Sequence, residues 1–515
     1  MRILFLLLTV MINCYAQCPP CTNQTPNVTE PLSEDSLPYR VTLELADFIL
    51  PAGLHSFAYA VYQGEWLFIA GRTNGLHDVN NTDPTENSFP PSAQNTLVYV
   101  VNPTTGKSYF RSLYDPSSHL SQAQIDLLSV SNPLFHQTKN KKVLYLVGGY
   151  GIDNLTNTMG TKSTLTAIDV PNLIKWVKKP TGSKSALKCM RFTSHPILQL
   201  TGGVMLQADE HQPHLLAFGQ NFDGNYTTAS NGTYSRQIRP IQIIDDGKTL
   251  FVHPHKQPDP NPNYRRRDLN VVPIIKKQEN TYITSYTALS GVFTPPDIDD
   301  TPGAWTVPIE INRDGSSKML DPNDPNTLAQ AMNNYSCPTL GLYSQKAKKM
   351  YTLLFGGISV STISDGSNCN TDPNPQNNCC TAWVPASGNV FSTCCNLPFT
   401  NDITTIQIDE NGTYTQHLMS EKYPIIHPNQ LPPTCPGFPA PPSNTQYWFG
   451  ANAVFIPNEN LPTYPNEVIA LDKLKKVPTC VGYIAGGIAS TILDTNCDTD
   501  TTSSYYVFKV TISPR

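Results

Sequence analysis

The chain has 515 residues, of which 15% are charged, and its net charge at pH 7 is -5, whereas soluble domains average about 25% charged residues. A weakly acidic chain without a basic stripe argues against a nucleic-acid partner, whose phosphates require clustered lysine and arginine. No apolar run reaches the roughly 20 residues of a membrane-spanning helix, so no transmembrane span is expected.

The first residues predict export. Met1 and Arg2 form a short basic start, residues 3–12 are apolar except for Thr9, and small residues follow up to Ala16. This pattern is typical of a secretory signal peptide over residues 1–16. The mature protein is therefore expected outside the cytoplasm, either secreted or, in a bacterium, in the periplasm or on the cell surface. A lipid anchor on Cys14 or Cys18 is the weaker alternative, because neither residue follows a good lipobox.

The cysteines agree with an oxidising compartment. Of 13 cysteines, Cys14 lies in the signal, and the even number left fits a disulfide framework. Residues 17–38 form a Cys- and Pro-rich N-terminal segment. The disulfide candidates are Cys18, Cys21, Cys369, Cys379, Cys380, Cys394, Cys395 and Cys497. Their pairing cannot be deduced from the sequence.

From residue 39 onward the chain is predicted to be all-β, with short strands separated by turn residues. Only the stretch 121–130 has the apolar spacing of a helix. An apolar strand that ends in glycine recurs six times, over residues 66–71, 143–149, 215–219, 286–291, 351–357 and 481–487. Each copy follows another strand, and most precede a third strand. Residues 108–113 and 174–177 are predicted as fourth, outer strands.

A four-stranded unit that repeats every 65 to 77 residues, judged by its glycines, predicts a β-propeller blade. The repeat resembles the kelch repeat, in which an apolar strand ends in a Gly-Gly pair. Three copies keep the pair, and three keep one glycine (Gly71, Gly219 and Gly291). The resemblance covers residues 39–515 and implies a single all-β propeller of about six kelch-like blades. Seven blades are the alternative.

The strand over residues 39–47 is predicted to complete the last blade, which would leave no open edge in the ring. Two long insertions are expected, at about residues 362–400 and 424–447. Residues 356–372 closely match residues 486–500, so Cys369 and Cys497 are predicted at equivalent positions of successive blades.

The main candidate binding site is Arg265, Arg266, Arg267 and Asp268, which enter an inner strand after a Pro- and Asn-rich loop. Guanidinium groups at a channel mouth would suit a carboxylate or sugar acid. Solvent-exposed arginines and a structural pair with Asp268 are the alternative. His253 and His255 precede this loop and are further candidates for ligand binding, with surface histidines as the alternative.

Asp494, Asn496, Asp498 and Asp500 place oxygen ligands at alternate positions, which is a calcium-like pattern. Tight turns rich in Asp and Asn explain the same pattern and are favoured. No cofactor is expected, and calcium is the alternative.

No catalytic motif is present, so the favoured function is a non-catalytic propeller that binds a protein or glycan through one loop-bearing face. The alternative is a carbohydrate isomerase. Six-bladed kelch proteins of the periplasm include a family that interconverts anomers of sialic acid, and this chain is similar to them in predicted architecture and compartment. That family's functional residues could not be matched here. A copper-radical oxidase fits worst, because no copper ligand spacing is evident.

Overall fold

The computed structural model describes residues 28–77, 88–226, 232–278, 281–294, 303–364, 380–383, 390–394, 397–426, 446–493 and 500–515. Their regular secondary structure is mainly β-strand, as the alternation of apolar and polar residues predicts. Neither helix in this part of the chain has the length and apolarity required to cross a bilayer.

Six sheets of four or more strands follow one another along the chain, and we number them 1 to 6. Sheet 1 contains Ala58–Tyr62, Glu65–Ile69, Leu97–Asn102 and Lys107–Ser112; sheet 2 contains Leu134–Gln137, Val143–Val147, Thr164–Asp169 and Met190–Ser194. Sheet 3 contains Val204–Leu206, His214–Ala217, Ile238–Asp245 and Leu250–Pro254; sheet 4 contains Asn270–Gln278, Thr281–Leu289, Ile309–Ile311 and Ser317–Met319. Sheet 5 contains Thr339–Ser344, Lys349–Ile358, Phe399–Ile408 and Tyr414–Lys422; sheet 6 contains Val454–Pro457, Thr479–Ala485, Val507–Pro514 and Tyr39–Leu45.

Within each sheet these strands are antiparallel neighbours, in the order given. The first strand named is the inner strand of its sheet. Sheet 5 has two further short edge strands, Leu32–Ser33 and Ile469–Ala470, both paired in parallel. We call the end of the sheets where the inner strands begin the upper face, and the opposite end the lower face. Short hairpins and small sheets extend the upper face beyond the glycines: Tyr150–Asp153 with Thr158–Thr161, Gln220–Asn221 with Thr233–Tyr234, Ser361–Ser364 with Val390–Cys394 and Cys380–Trp383, and Trp448–Ala451 with Ile488–Ser490 and Thr501–Ser503.

The repeated glycines end the second strand of each sheet, where another backbone lies too close for a side chain. A Cβ on Gly71 would lie 2.5 Å from the carbonyl oxygen of His55. A Cβ on Gly148 would lie 2.1 Å from the carbonyl oxygen of Leu200. Both glycines also have positive φ, which only glycine adopts without strain. The repeat signal therefore marks a crowded bend in every sheet.

The predicted N-terminal strand completes sheet 6. Tyr39–Leu45 pairs antiparallel with Val507–Pro514, from Tyr39 opposite Pro514 to Leu45 opposite Phe508. Its residues alternate between buried and exposed, and Tyr39 is fully buried. The Tyr39 hydroxyl shares a hydrogen bond with the Thr405 hydroxyl of sheet 5, at 3.0 Å. The two ends of the chain thus share one sheet.

The structure confirms one helix prediction and corrects one strand prediction. Gln122–Leu128 is a helix with a capping box, in which Ser121 and Gln124 bond each other's backbone. Residues 174–177, predicted as an outer strand, belong to the helix Val170–Lys178. The Asp169 side chain caps this helix by accepting from the Asn172 amide, and Pro171 lies in its first turn.

Apolar cores join each sheet to its neighbours along the chain, and one core joins sheets 5, 6 and 1. Each pair of neighbouring sheets contributes residues to a common apolar cluster. One residue from each sheet is given for each pair: sheets 1 and 2 (Leu67, Leu144), sheets 2 and 3 (Val147, Leu216), sheets 3 and 4 (Leu215, Ala288), sheets 4 and 5 (Val272, Leu354), sheets 5 and 6 (Leu353, Ile484) and sheets 6 and 1 (Phe508, Phe68). Burial of apolar area between the sheets is the main force that holds them together.

Candidate functional site

Six residues, one from each sheet, lie just before the inner strands at the upper face. These ring residues are Ser56, Asn132, Gly202, Asp268, Ser336 and Asn452. All except Ser336 have a φ between +48° and +70°. Glycine, asparagine and aspartate tolerate this left-handed conformation better than other residues, which explains their use at this bend.

The backbones of the ring residues are bonded to one another in chain order. The amide of Asn132 donates to the carbonyl of Ser56 at 3.0 Å, and that of Gly202 donates to Asn132 at 3.1 Å. Asp268 donates to Gly202 at 2.8 Å. The same pattern continues from Ser336 to Asp268 and from Asn452 to Ser336, both at 2.9 Å. Five hydrogen bonds therefore connect six sheets around one space.

That space is a cavity of about 380 Å³, which we call the upper cavity. Its volume falls in the range of small-molecule sites, about 300–1,000 Å³. The ring residues supply hydroxyl, amide and carboxylate groups at one end. Aromatic residues from three sheets line the walls: Phe57, Tyr59, Phe135 and Phe455. Among the described residues, no lysine, arginine or histidine lines it.

Asp268 is the only charged ring residue, and it is held by three partners. Its carboxylate accepts from Asn132 Nδ2 at 3.0 Å and forms an ion pair with Arg267 Nε at 3.4 Å. The Tyr335 hydroxyl also bonds it. Burial raises the pKa of Asp268, and Arg267 and the Tyr335 hydroxyl partly oppose that rise. Gly202 leaves room for the group, because a Cβ there would lie 3.1 Å from Asp268 Oδ1.

The three predicted arginines are buried beside this site and do not line the upper cavity. Arg266 is fully buried, and its Nη1 donates to the carbonyls of Ser290 and Val307, at 2.8 and 2.9 Å. Burial lowers the pKa of Arg266 to about 9. The Arg265 guanidinium lies 4.1 Å from the centre of the Tyr234 ring. Arg266 therefore serves as a structural tie between strands of sheet 4.

Arg267 connects Asp268 to an aromatic cluster on the upper face. Its Nη2 donates to the Tyr226 hydroxyl at 3.0 Å, and its guanidinium lies over the Phe293 ring at 4.6 Å. The cluster continues through Phe222, Tyr150, Phe89 and His77 by edge and stacking contacts of 4.5 to 5.7 Å. The aromatic cluster packs above the ring residues, so the ionic pair lies in an environment of low polarity.

The remaining predicted site residues lie elsewhere. His253 and His255 are exposed at the outer edge of sheet 3, apart from the upper cavity. Asp494, Asn496 and Asp498 lie outside the described residues, and the carbonyl of Asp500 accepts from the Thr491 amide. Within the described part, no group of three or more potential metal ligands occurs.

The predicted disulfide cysteines have no described side chains, so that prediction is not tested. Three other cysteines, Cys189, Cys337 and Cys480, are unpaired.

Two histidines near the lower face, His214 buried and His136 half-buried, predict acid sensitivity. The rings of His136 and His214 lie 5.6 Å apart, and neither ring nitrogen of His214 has a hydrogen-bond partner in the described part of the chain. Burial lowers the pKa of His214 to about 3, and burial lowers that of His136 to about 4. Nearby charges act on His136 in opposite directions: Glu467 raises its pKa and Lys141 lowers it.

The unfolded chain binds protons on these histidines near pH 6.5, whereas the folded chain binds them only at lower pH. The free energy of unfolding is therefore unaffected by these groups above pH 6.5. It decreases as the pH falls from about 6.5 towards 4, because protons then bind the unfolded chain preferentially. We expect the melting temperature of the His214→Phe variant to fall less between pH 7 and pH 4.5 than that of the unmodified protein. Differential scanning fluorimetry measures this, with the exposed His253→Phe as control. An equal loss in both variants would contradict the assignment.

Sequence reasoning identified one of the six ring residues, Asp268, and missed the other five: Ser56, Asn132, Gly202, Ser336 and Asn452. A usable signal was present. Aligning the repeats on the inner strands places Ser, Asn, Gly or Asp at the same position of each unit. The sequence analysis instead favoured the charged run Arg265 to Asp268, although its arginine side chains bond mainly to carbonyls and aromatic rings of the protein.

No protein-family model matches the chain, and no curated protein matches it. Among solved structures, YjhT is 10% identical over 89% of this chain and 100% of that chain, with a TM-score of 0.39. Streptogramin B lyase is 8% identical over 92% of this chain and 98% of that chain, with a TM-score of 0.28. Trypanosoma rangeli sialidase in complex with sialic acid is 10% identical over 95% of this chain and 57% of that chain, with a TM-score of 0.31. Scores below 0.5 are too low to establish a shared fold or function.

Proposed function

We propose that the six sheets are the blades of one closed propeller with the upper cavity in its central channel. Three observations support this arrangement. Five backbone hydrogen bonds join the ring residues of six successive sheets. The strand Tyr39–Leu45 pairs with Val507–Pro514, the last strand of the described chain. The largest apolar core contains residues from sheets 5, 6 and 1 together.

The channel of this propeller binds a neutral saccharide. The observation that carries the proposal is the ring of five polar residues and Gly202 above aromatic walls, in a cavity of about 380 Å³. Sugars combine hydroxyl groups, which such amides and carboxylates bond, with apolar faces that pack on aromatic rings. The export signal and the disulfide framework expected from the sequence place this binding outside the cytoplasm.

The charge of the cavity favours a neutral ligand over a sugar acid. Asp268 lies at its upper end and Glu467 also lines it, whereas no described cationic side chain does. Arg265, Arg266 and Arg267 direct their guanidinium groups to carbonyls, aromatic rings or Asp268 instead. A ligand carboxylate would therefore meet like charge and lose its hydration without compensation.

A thermal-shift panel tests the proposal. Glucose, galactose and N-acetylglucosamine are compared with glucuronic acid and sialic acid. A bound sugar at about 100 times its Kd adds about 2.7 kcal/mol, which raises the melting temperature by a few degrees in a chain of this size. We expect such a rise with at least one neutral sugar and none with the acids. Asn452→Gly, which suits the local φ of +53°, should abolish it.

Asn411→Gly, an exposed change on the outer turn of sheet 5, is the matched control and should keep the rise. A flat panel, or a rise with the acids alone, would overturn the neutral-sugar proposal.

The second candidate is an isomerase that exchanges sugar anomers. Asp268 and the Tyr335 hydroxyl favour it, because a carboxyl with a raised pKa bonded to a phenol can take and return a proton. Anomer exchange of any sugar that binds can be followed by nuclear magnetic resonance. A rate equal to that in buffer alone would leave binding as the function.

A further inference from the structure

Three of the eight Asn-X-Ser/Thr sequons of the chain lie wholly within the described residues, at Asn154, Asn334 and Asn411. A sequon is the acceptor for N-linked glycosylation when a chain passes through a eukaryotic secretory pathway. The glycan is bulky and hydrophilic, so a folded protein can carry it only on an exposed asparagine with open space around it. The three sites differ in this respect.

Asn334 cannot carry a glycan in the folded protein, because it is only 1% exposed. Its Nδ2 donates to the Gln330 carbonyl at 3.0 Å, and its Oδ1 accepts from the Val360 amide at 2.9 Å. The hydroxyl residue of this sequon is Ser336, one of the ring residues. A glycan on Asn334 would need space inside a close-packed region. Molecules that fold must therefore have this asparagine unmodified.

Asn154 is exposed, but its side-chain amide has an internal partner. It lies in the turn of the upper-face hairpin formed by Tyr150–Asp153 and Thr158–Thr161. Its Nδ2 donates to Asp126 Oδ1 at 2.7 Å, and its backbone amide donates to Asp126 Oδ2 at 2.8 Å. Asp126 belongs to the helix Gln122–Leu128 and is buried. The Asn154 amide therefore ties this hairpin to the helix.

Asn411 combines an exposed position with a side chain that the fold does not use. Asn411, Gly412 and Thr413 are all exposed, in the turn that joins Phe399–Ile408 to Tyr414–Lys422 in sheet 5. The turn lies at the lower face, and Asn411 does not line the upper cavity. Its side chain makes no hydrogen bond within the described part of the chain. A Cβ added to Gly412 would meet no atom within 4 Å, so the space beside the asparagine is open.

The turn keeps its shape without the Asn411 side chain. Asp409 Oδ1 accepts from the backbone amides of Asn411 and Thr413, both at 2.9 Å. The Gly412 amide donates to the Asp409 carbonyl at 3.1 Å. Gly412 has a φ of +83°, which glycine adopts without strain. A substituent on Asn411 Nδ2 therefore leaves every described hydrogen bond of the turn in place.

We propose that Asn411 is N-glycosylated. The donor is a lipid-linked oligosaccharide pyrophosphate. A bond forms between Asn411 Nδ2 and the anomeric carbon of the first sugar, the bond from that carbon to the pyrophosphate oxygen breaks, and Nδ2 loses one proton. The lipid pyrophosphate leaves with the bonding electron pair. The Thr413 hydroxyl completes the acceptor sequence. This inference rests on the export expected from residues 1–16 and is independent of the proposed saccharide binding.

Expression of the full chain, with its own predicted signal, in cultured animal cells tests the inference. Protein from the medium is treated with peptide N-glycosidase in heavy-oxygen water, which converts a glycosylated asparagine to labelled aspartate. Peptide mass spectrometry then reads each site. We expect the label at Asn411 and none at Asn334. Thr413→Ala should remove the label at Asn411, whereas Thr413→Ser keeps the hydroxyl and should retain it.

Glu410→Gln is the matched control in the same turn, since it removes the ion pair with Lys348 but keeps the sequon. It should leave the label at Asn411 unchanged. An unlabelled Asn411 in the secreted protein, or a label that persists in Thr413→Ala, would overturn the inference. Absence of the chain from the medium, together with an unlabelled Asn411 inside the cells, would overturn its premise of export as well.

Discussion

Gly148→Ala is expected to prevent folding or to lower the free energy of unfolding by more than about 4 kcal/mol. The new Cβ would lie 2.1 Å from the carbonyl oxygen of Leu200 and 2.8 Å from that of Leu198. Both obstacles are backbone atoms in the link between sheets 2 and 3, so neither can rotate away. The φ of +61° adds the ordinary cost of a left-handed alanine, about 1–2 kcal/mol.

Gly182→Ala separates the two causes. Gly182 has a φ of +84°, but an added Cβ would meet no atom within 4 Å. The free energy of unfolding of this variant should fall only by the cost of a left-handed alanine, about 1–2 kcal/mol. Urea unfolding followed by tryptophan fluorescence measures both variants. Similar losses would show that conformation alone, and not crowding, selects glycine at the ends of the second strands.

Val41→Asp is expected to destabilise the protein by about 3–5 kcal/mol, because it places an unpaired carboxylate in the core. Val41 lies in the N-terminal strand opposite Ile512 and is only 4% exposed. It belongs to the same apolar core as residues of sheets 5, 6 and 1. The loss would therefore arise where the strand Tyr39–Leu45 meets Val507–Pro514.

Thr42→Asp is the control, since the neighbouring residue lies on the exposed face of the same strand, opposite Thr511. A surface change of this kind should alter the free energy of unfolding by no more than about 0.5 kcal/mol. Chemical denaturation of both variants at pH 7 gives the comparison. If Val41→Asp were as mild as Thr42→Asp, the N-terminal strand would not belong to the core.

The strands could be predicted from the sequence, because the repeated glycines and the alternation of apolar and polar residues reflect local structure. All six glycine-ended strands are present as second strands of sheets, and the strand beginning at Tyr39 pairs as predicted. The helix over residues 170–178 was missed because Ile174, Trp176 and Val177 suit a strand equally well. The capping residue Asp169 and Pro171 in the first turn are the sequence signals that distinguish a helix from a strand at this position.

The candidate site was harder to predict because its residues are spread over the whole chain. Asp268 was identified, but the arginines beside it were expected to face a ligand, and the tertiary structure buries them against aromatic rings and carbonyls. The sequons at Asn334 and Asn411 likewise look alike in the sequence. Only the packed structure shows that the first is buried and the second exposed.

The pairing of residues 39–45 with residues 507–514 also has a consequence for biosynthesis. Sheet 6 cannot be completed until residues 507–514 have left the ribosome, so the strand Tyr39–Leu45 stays unpaired until then. Contacts between such distant parts of a chain form slowly, and an exposed strand edge invites aggregation meanwhile. Sheet 6 is therefore expected to be completed late, after the other five sheets have been synthesised.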